Sequence, residues 1–410
     1  MISVVRHYGI ALSLPLVCLV AGCVSIGANT NQQAELNSEA AYQARFETVM
    51  ASGGFFATYQ PREEIPGAST RDPLPSARPD ERSISNTALQ DAAAYAERNN
   101  SDAFLVWHDG KLQAEHYFGD KRASTLLISK SLSKPLTAIA VGRAIELGHI
   151  QSLDQPVADF IPEWRDDDRR AVLVRHLLDM RSGFLRQGYS RDPDHPWNRA
   201  YLSLELEDYL VNNYPLESAP GKDYLYNNAT ADMVAVLIER STGQRYGEFI
   251  GREVLSEIDA PGGEGWVSKH GGLIHSGCCK FLPAESWLRL AKLLLDDGVF
   301  RGKRLLPPGY VREMTTPSAA NPHYGLGVWV GGEYVERRGY TGKLKLGPQV
   351  LHSEPYLDSE LFLFDGNSNQ VVYVLPKHDL IILRLGRTPP KEPEWDNARL
   401  PNMIVRGLKP

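Results

Sequence analysis

Apolar residues change their period twice along this chain, and that change constrains the fold more than any other feature. "TALQDAAAYAERNN", Thr87 to Asn100, has helical spacing. "DAFLVWHDGKLQAEHYFG", Asp102 to Gly119, reads as two strands around Asp109-Gly110, a dipeptide that favours tight hairpin turns. From about Leu153 to Asp259 the pattern is mostly helical, broken by Pro and Gly. After Gly262 strands return: "YGLGVWVGGEYV" and "ELFLFDGNSNQVVYVLPKHDLIILRLG" alternate or run apolar, with turns at Gly332 and at Pro376–Asp379. "ARLPNMIVRGL" closes as a helix. Helix, hairpin, helical block and strand meander together predict an α+β fold, an antiparallel sheet flanked by helices with an all-α insertion domain.

The 410 residues, 42% of them hydrophobic, suffice for a sizeable core. Net charge is −6 with both signs interspersed. No basic stripe exists, so no nucleic-acid partner is expected. The first residues carry one early cation, Arg6, and then an apolar run from about Ile10 to Ala21. That run is too short for a spanning helix and has the flanks of an export signal. It ends in "VAGC", Val20 to Cys23, which resembles a bacterial lipobox. The resemblance implies removal of residues 1–22, lipidation of Cys23, and membrane anchoring through several acyl chains. The expected location is the bacterial cell envelope, lipid-anchored and periplasm-facing, with Val24 pointing to the outer membrane. Residues 23–85 read as an N-terminal tether or strap, rich in proline from Tyr59 to Ser85. Residues 86–410 form the expected main domain, with an α/β part at about 86–155 and 262–410 and a helical part at about 156–261. Cys278 and Cys279 are adjacent and are expected as buried thiols; no metal and no cofactor are expected.

"LLISKSLSKPLTAIAVGRAIELGHI", Leu126 to Ile150, places three serines and two lysines where an apolar helix begins. Ser131 and Lys134 fit S-x-x-K; at i and i+3 on a helix they share a face. Ser131 as helix cap puts Pro135 in the first turn, where a missing N–H costs least. Two readings stand: a solvated cap, or a nucleophile beside its base. A serine hydroxyl is weak without a partner, and a lysine near its ordinary pKa of about 10.4 is no base at neutral pH. Burial lowers that pKa and lets a neutral amine take the hydroxyl proton. Ser129 with Lys130 overlaps this pair but has no helical logic. A second element, "PGKDYLYNNATADMVAVLIE", contains Tyr226-Asn227-Asn228 before an apolar helix. Either Tyr226 relays a proton and Asn228 holds the lysine, or Asn228 simply caps the helix.

S-x-x-K followed about ninety residues later by Y-x-N resembles the serine β-lactamase and penicillin-binding superfamily. "LVWHDGKLQAEHYF", "VRHLLDMRSGF", "APGKDYLYNN", "SGCCKFLPAESWLRLAKLLLDDGVFRGKRLL" and "YGLGVWV" are similar to the class C-like branch of carboxylesterases and 6-aminohexanoate-dimer hydrolases. The resemblance covers roughly Thr87 to Gly386 and implies a β-lactamase/transpeptidase-like fold and a serine hydrolase. It casts Ser131 as the acylated nucleophile, Lys134 as its base, Tyr226 as acid/base for the leaving group and Asn228 as polar holder. The family's third motif falls at Asn367-Ser368-Asn369, with Ser368 and Asn369 facing substrate and the Gln370 N–H completing an oxyanion hole with that of Ser131. This triplet lacks the lysine and glycine of true β-lactamases, so no cation there grips a β-lactam carboxylate. The implied substrate is therefore a small neutral ester or amide. "GYTGK", Gly339 to Lys343, is a rival placement. The runner-up function is a penicillin-binding peptidase or sensor acylated by β-lactams with slow turnover; a non-catalytic lipoprotein is a third. His176 and Ser182 read as structural, and Tyr189 and Trp197 as candidate substrate contacts.

Overall fold

A computed structural model describes residues 38–53, 59–341 and 348–409. The 1–22 leader and Cys23 lie outside the described residues. Ten strands position the site: β1 (Arg62–Ile65), β2 (Ser101–His108), β3 (Lys111–Tyr117), β4 (Leu127–Ile128), β5 (Gly263–Trp266), β6 (Lys280–Leu282), β7 (Trp329–Val330), β8 (Phe362–Gly366), β9 (Gln370–Leu375) and β10 (Leu380–Gly386). With them pack α1 (38–51), α2 (Asn86–Arg98), α3 (Lys134–Glu146), α4 (Asn228–Thr242), α5 (Ala284–Leu295) and α6 (Arg399–Arg406).

The main sheet runs β3-β2-β10-β9-β8-β7, and its pairings are antiparallel. The expected hairpin is β2–β3, and β2 lies beside β10, so Val106 faces Ile382 across strands remote in sequence. Successive side chains point to opposite faces, and that alternation fills two cores. Leu105, Trp107, Val372, Val374, Ile381 and Leu383 enter one with α3 and α5. Phe104, Val106, Val371, Tyr373 and Ile382 enter the other with α2 and α6. Because both faces are covered, β9 and β10 are buried along their whole length, which explains their nearly unbroken apolar sequence.

The expected strand at 324–335 shrinks to Trp329–Val330. Gly327 at φ +73° and Gly332 at φ +60° take left-handed backbone that interrupts a pleat on either side. The helical block consists of short helices and 3₁₀ turns around the long α4.

A second sheet, β1-β5-β6-β4, brings the strap to the site. Strand β1 pairs with β5, and β4 pairs with β6 immediately before the Ser131 turn. Helix α1 buries Tyr42 and Val49, and Arg45 donates to the carbonyls of Leu202 and Ser268. Bridges Ser76–Leu112 and Ile84–Leu408 continue the strap along the surface.

Helix α3 begins at Lys134, not at Ser131. Ser131 lies in a 3₁₀ turn, Lys130–Ser133, that precedes it, and Pro135 falls in the first α-turn. Cys278 and Cys279 form a disulfide rather than free thiols; the left-handed backbone of Cys279, φ 65°, turns the two side chains to one side.

Candidate active site

The turn that carries Ser131 is fastened from below. The Ser129 hydroxyl is buried, lies 2.7 Å from that of Ser133 and accepts from Lys280 N–H. Ser129 is therefore structural. Helix α3 is buried almost continuously from Lys134 to Ala144, so Lys134 enters the site from inside the core and is only 1% exposed.

Lys134 Nζ lies 3.1 Å from Ser131 Oγ, 2.6 Å from Asn228 Oδ1 and 3.0 Å from the Gly277 carbonyl. An ammonium donates three hydrogens; a neutral amine donates two and keeps a lone pair. Asn228 and Gly277 can only accept through these oxygens, so they take both hydrogens of the neutral form. The lone pair then faces the Ser131 hydroxyl. Burial pushes the Lys134 pKa down to about 7, with the Asp232 carboxylate opposing. The spacing that suggested a nucleophile and a base has its geometry here.

Helix α4 supplies the second wall. Its N-cap is Asn227, whose side chain accepts from Ala229 N–H at 2.8 Å. Asn228, free of the capping role, turns to Lys134, and its own N–H donates to Gln187 Oε1 at 3.0 Å. One turn along, the fully buried Asp232 accepts from Gly277 N–H at 2.9 Å and meets His275 Nδ1 at 3.0 Å. It thus fixes the residue whose carbonyl holds Lys134. An added Cβ on Gly277 would come within 2.5 Å of Ala231 Cβ, so only glycine admits this approach. Lys280, also buried, donates to the carbonyls of His275 and Ser276 at 2.7 and 2.8 Å.

Tyr226 is buried, and the Lys134 amine stands 4.6 Å from its ring centroid. Its hydroxyl makes no hydrogen bond of good geometry, yet the Ser131 hydroxyl is near enough to lower its pKa against the rise that burial causes. Behind it lie Tyr324, Trp329 and Tyr340. The buried Arg338–Asp365 pair adds opposing electrostatic influences on the phenol.

The third motif lies at a hairpin turn. Residues 367–369 form the hairpin connection between β8 and β9, with Ser368 and Asn369 in left-handed backbone. That twist turns their carbonyls to Arg384, at 2.7 and 3.0 Å. The Ser368 hydroxyl pairs with Thr388. Gln370 is buried, and its side chain bonds the backbone of Gly386. The Ser368 and Gln370 side chains are thus engaged within the sheet, while the 367–369 turn and the start of β9 pack against the Lys130–Ser133 turn. Gly366 approaches closely: a Cβ on it would lie 3.2 Å from Ser131 N and 2.7 Å from Leu132 N. Asn367, next in the chain, lines the pocket above Ser131. Of the rival segment, Tyr340 reaches the site region, donating to Asp365 at 3.0 Å; Gly342 and Lys343 lie outside the described residues.

Tyr189 and Trp197 line a pocket of about 250 Å³ together with Ser131, Asn228 and Lys130. His176 Nδ1 accepts from Leu173 N–H and Ser182 pairs with Thr230, both inside the fold. Sequence reasoning missed Asp232, His275, Lys280 and Gly366. Asp232, four residues after Asn228 on an otherwise apolar helix face, was a visible signal; the others had none. Among the described residues, no cluster of three or more His, Cys, Asp or Glu could hold a metal, and no helix is long and apolar enough to cross a membrane.

The β-lactamase family profile matches residues 89–262, a span holding Ser131, Lys134, Tyr226 and Asn228. The chain is 25% identical over 256 residues to the 6-aminohexanoate-dimer hydrolase of Paenarthrobacter ureafaciens, covering 60% of this chain and 65% of that protein, less than two thirds of its length. A solved structure from Bacillus anthracis, assigned as a 6-aminohexanoate-dimer hydrolase, superposes with a TM-score of 0.64 at 19% identity, covering 85% of this chain and 90% of that one. A family VIII carboxylesterase gives a TM-score of 0.57 at 16% identity, covering 81% of this chain and 99% of that one. The profile over residues 89–262, these relatives and the shared fold give the chain a β-lactamase/transpeptidase-like fold, with 6-aminohexanoate-dimer hydrolases and carboxylesterases among the proteins it is similar to.

Proposed function

We propose that this protein is a serine hydrolase that cleaves a small ester or amide through an acyl-enzyme, tethered to a membrane by lipidated Cys23. The observation that carries the hydrolase reading is the buried Lys134 amine 3.1 Å from Ser131 Oγ with two carbonyl acceptors for its other hydrogens. Neutral Lys134 takes the Ser131 proton as Oγ bonds to the substrate carbonyl carbon. The resulting oxyanion is held by the Ser131 N–H and by the Asn367 N–H, which follows the glycine packed on Ser131. As the bond to the leaving group breaks, Tyr226 delivers a proton to it and is reprotonated from Lys134. Water then attacks the acyl-enzyme, giving its proton to the neutral amine, and Ser131 leaves with a proton returned to Oγ.

Turnover of a nitrophenyl ester and labelling by a fluorophosphonate probe test the reading together. Wild type should turn over the ester and carry the label on Ser131 in a peptide mass map. Ser131→Ala should lose both, with the rate down by a factor on the order of 10⁴ or more. Equal turnover in wild type and variant would sink the assignment. Intact mass after cell fractionation checks the tether: a mature chain beginning at an acylated Cys23 is expected in the membrane fraction.

A further inference from the structure

We propose that Lys130 forms an anion subsite beside the nucleophile, so that the substrate's acyl group is an apolar chain ending in a carboxylate. The proposal rests on the hydrolase reading and names its substrate class. It reverses the neutral substrate inferred from the 367–369 triplet, because the cation arrives from another part of the chain.

Lys130 precedes Ser131 in left-handed backbone, φ 51°, a conformation that side chains other than Asn, Asp and Gly seldom adopt. Two bonds to its carbonyl hold it there, from the Ser129 hydroxyl at 3.0 Å and the Cys279 N–H at 3.3 Å. The backbone thereby turns the amine into the pocket above Ser131. Strained backbone that the surroundings enforce is often linked to a functional site.

The amine donates to Tyr59 Oη at 2.7 Å and lies 4.3 Å from that ring's centroid. Tyr59 comes from the strap and is braced by Trp266, with ring centroids 5.3 Å apart. Among the described residues, no carboxylate lines this pocket, and burial pushes the Lys130 pKa down to about 8. A partly buried cation without a counter-charge is costly, and a ligand carboxylate supplies that charge together with two acceptors. Tyr189, Trp197 and Tyr201 give the same pocket an aromatic wall, Trp197 and Tyr201 stacking at 4.9 Å, suited to methylene groups. Tyr226, which serves the leaving group, packs in a different aromatic cluster and does not line the pocket. The Lys130 side therefore receives the acyl part.

The test compares two five-carbon esters, mono-4-nitrophenyl glutarate and 4-nitrophenyl pentanoate. Wild type should favour the glutarate by at least tenfold in kcat/KM. Lys130→Met should lower that preference at least tenfold, chiefly through KM, and Lys130→Arg should keep most of it. Lys130→Gly suits the left-handed backbone and should show the same loss where Met disturbs folding. Calorimetry with glutarate on Ser131→Ala protein reads binding without turnover; adding Lys130→Met should weaken it at least tenfold. Turnover of both esters with the preference absent, or unchanged in the Met and Gly variants, overturns the subsite and leaves the hydrolase standing. Glutarate binding that depends on Lys130, without turnover or probe labelling, overturns the hydrolase and leaves the subsite. Absence of both turnover and glutarate binding overturns both.

Discussion

Replacing Asp232 by Asn probes how the lysine base is tuned. The substitution keeps an oxygen acceptor for the Gly277 N–H, now at 2.9 Å, so the carbonyl that holds Lys134 stays in place. It removes the carboxylate that raises the Lys134 pKa against burial. Through the linked hydrogen bonds the carboxylate and the amine stand roughly 8 Å apart; at an effective dielectric near 20 their attraction is about 2 kcal/mol. That corresponds to about 1.5 pKa units. The sign follows from the charged form: Asp232 favours the ammonium, so its loss lowers the pKa. The active form is the neutral amine, so kcat/KM rises with pH through the Lys134 pKa. The wild-type acidic limb should be centred near 7, and that of Asp232→Asn should move down by about 1.5 units. His275 adds no competing cation, since burial already lowers its pKa and loss of Asp232 lowers it further. Lys280 lies in the same field, with a pKa of about 7. Lys280→Met, which removes a neighbouring cation, should move the limb upward and so separates the two effects. The assay is a pH profile of nitrophenyl-ester kcat/KM. A limb that stays near 7 or rises in Asp232→Asn would refute Lys134 as the titrating base.

Two further outcomes follow from the strand beside Ser131. Asn367→Pro removes the N–H assigned to the oxyanion and should lower kcat by about 10²–10³ with the protein still folded; a rate near wild type would return that role to another donor. Gly366→Ala places a methyl 2.8 Å from the Ser129 carbonyl and 2.7 Å from Leu132 N. These are backbone atoms, so β8 or the Ser131 turn must move, and thermal unfolding should report a loss of about 1–3 kcal/mol.

The third motif shows what the sequence leaves open. The stretch 362–386 was legible as a meander, and it is one. Which of its residues meets the nucleophile depends on how far β8 runs before the hairpin turns. With Gly366 paired to Gln370, the chain reverses early, and Gly366 packs on the Ser131 turn with Asn367 beside it in the pocket. The same limit applied to α3: Ser131 and Lys134 were paired correctly, but the helix begins three residues later because a 3₁₀ turn intervenes.

What the sequence determined by itself was periodic and local. Apolar runs marked β2, β9 and β10 as strands, and a three-residue separation along a helical turn placed an amine beside a hydroxyl. Tertiary structure decided what those groups experience. Lys134 has its lowered pKa because α3 is packed on all sides, and its lone pair is aimed by Asn228 and Gly277 from distant segments. Lys130 faces the pocket because a disulfide-bonded neighbour and a buried serine hold its backbone left-handed, and because a strap tyrosine meets its amine. Periodicity is written in neighbouring residues, whereas burial and electrostatic environment depend on segments that meet only after the chain has folded.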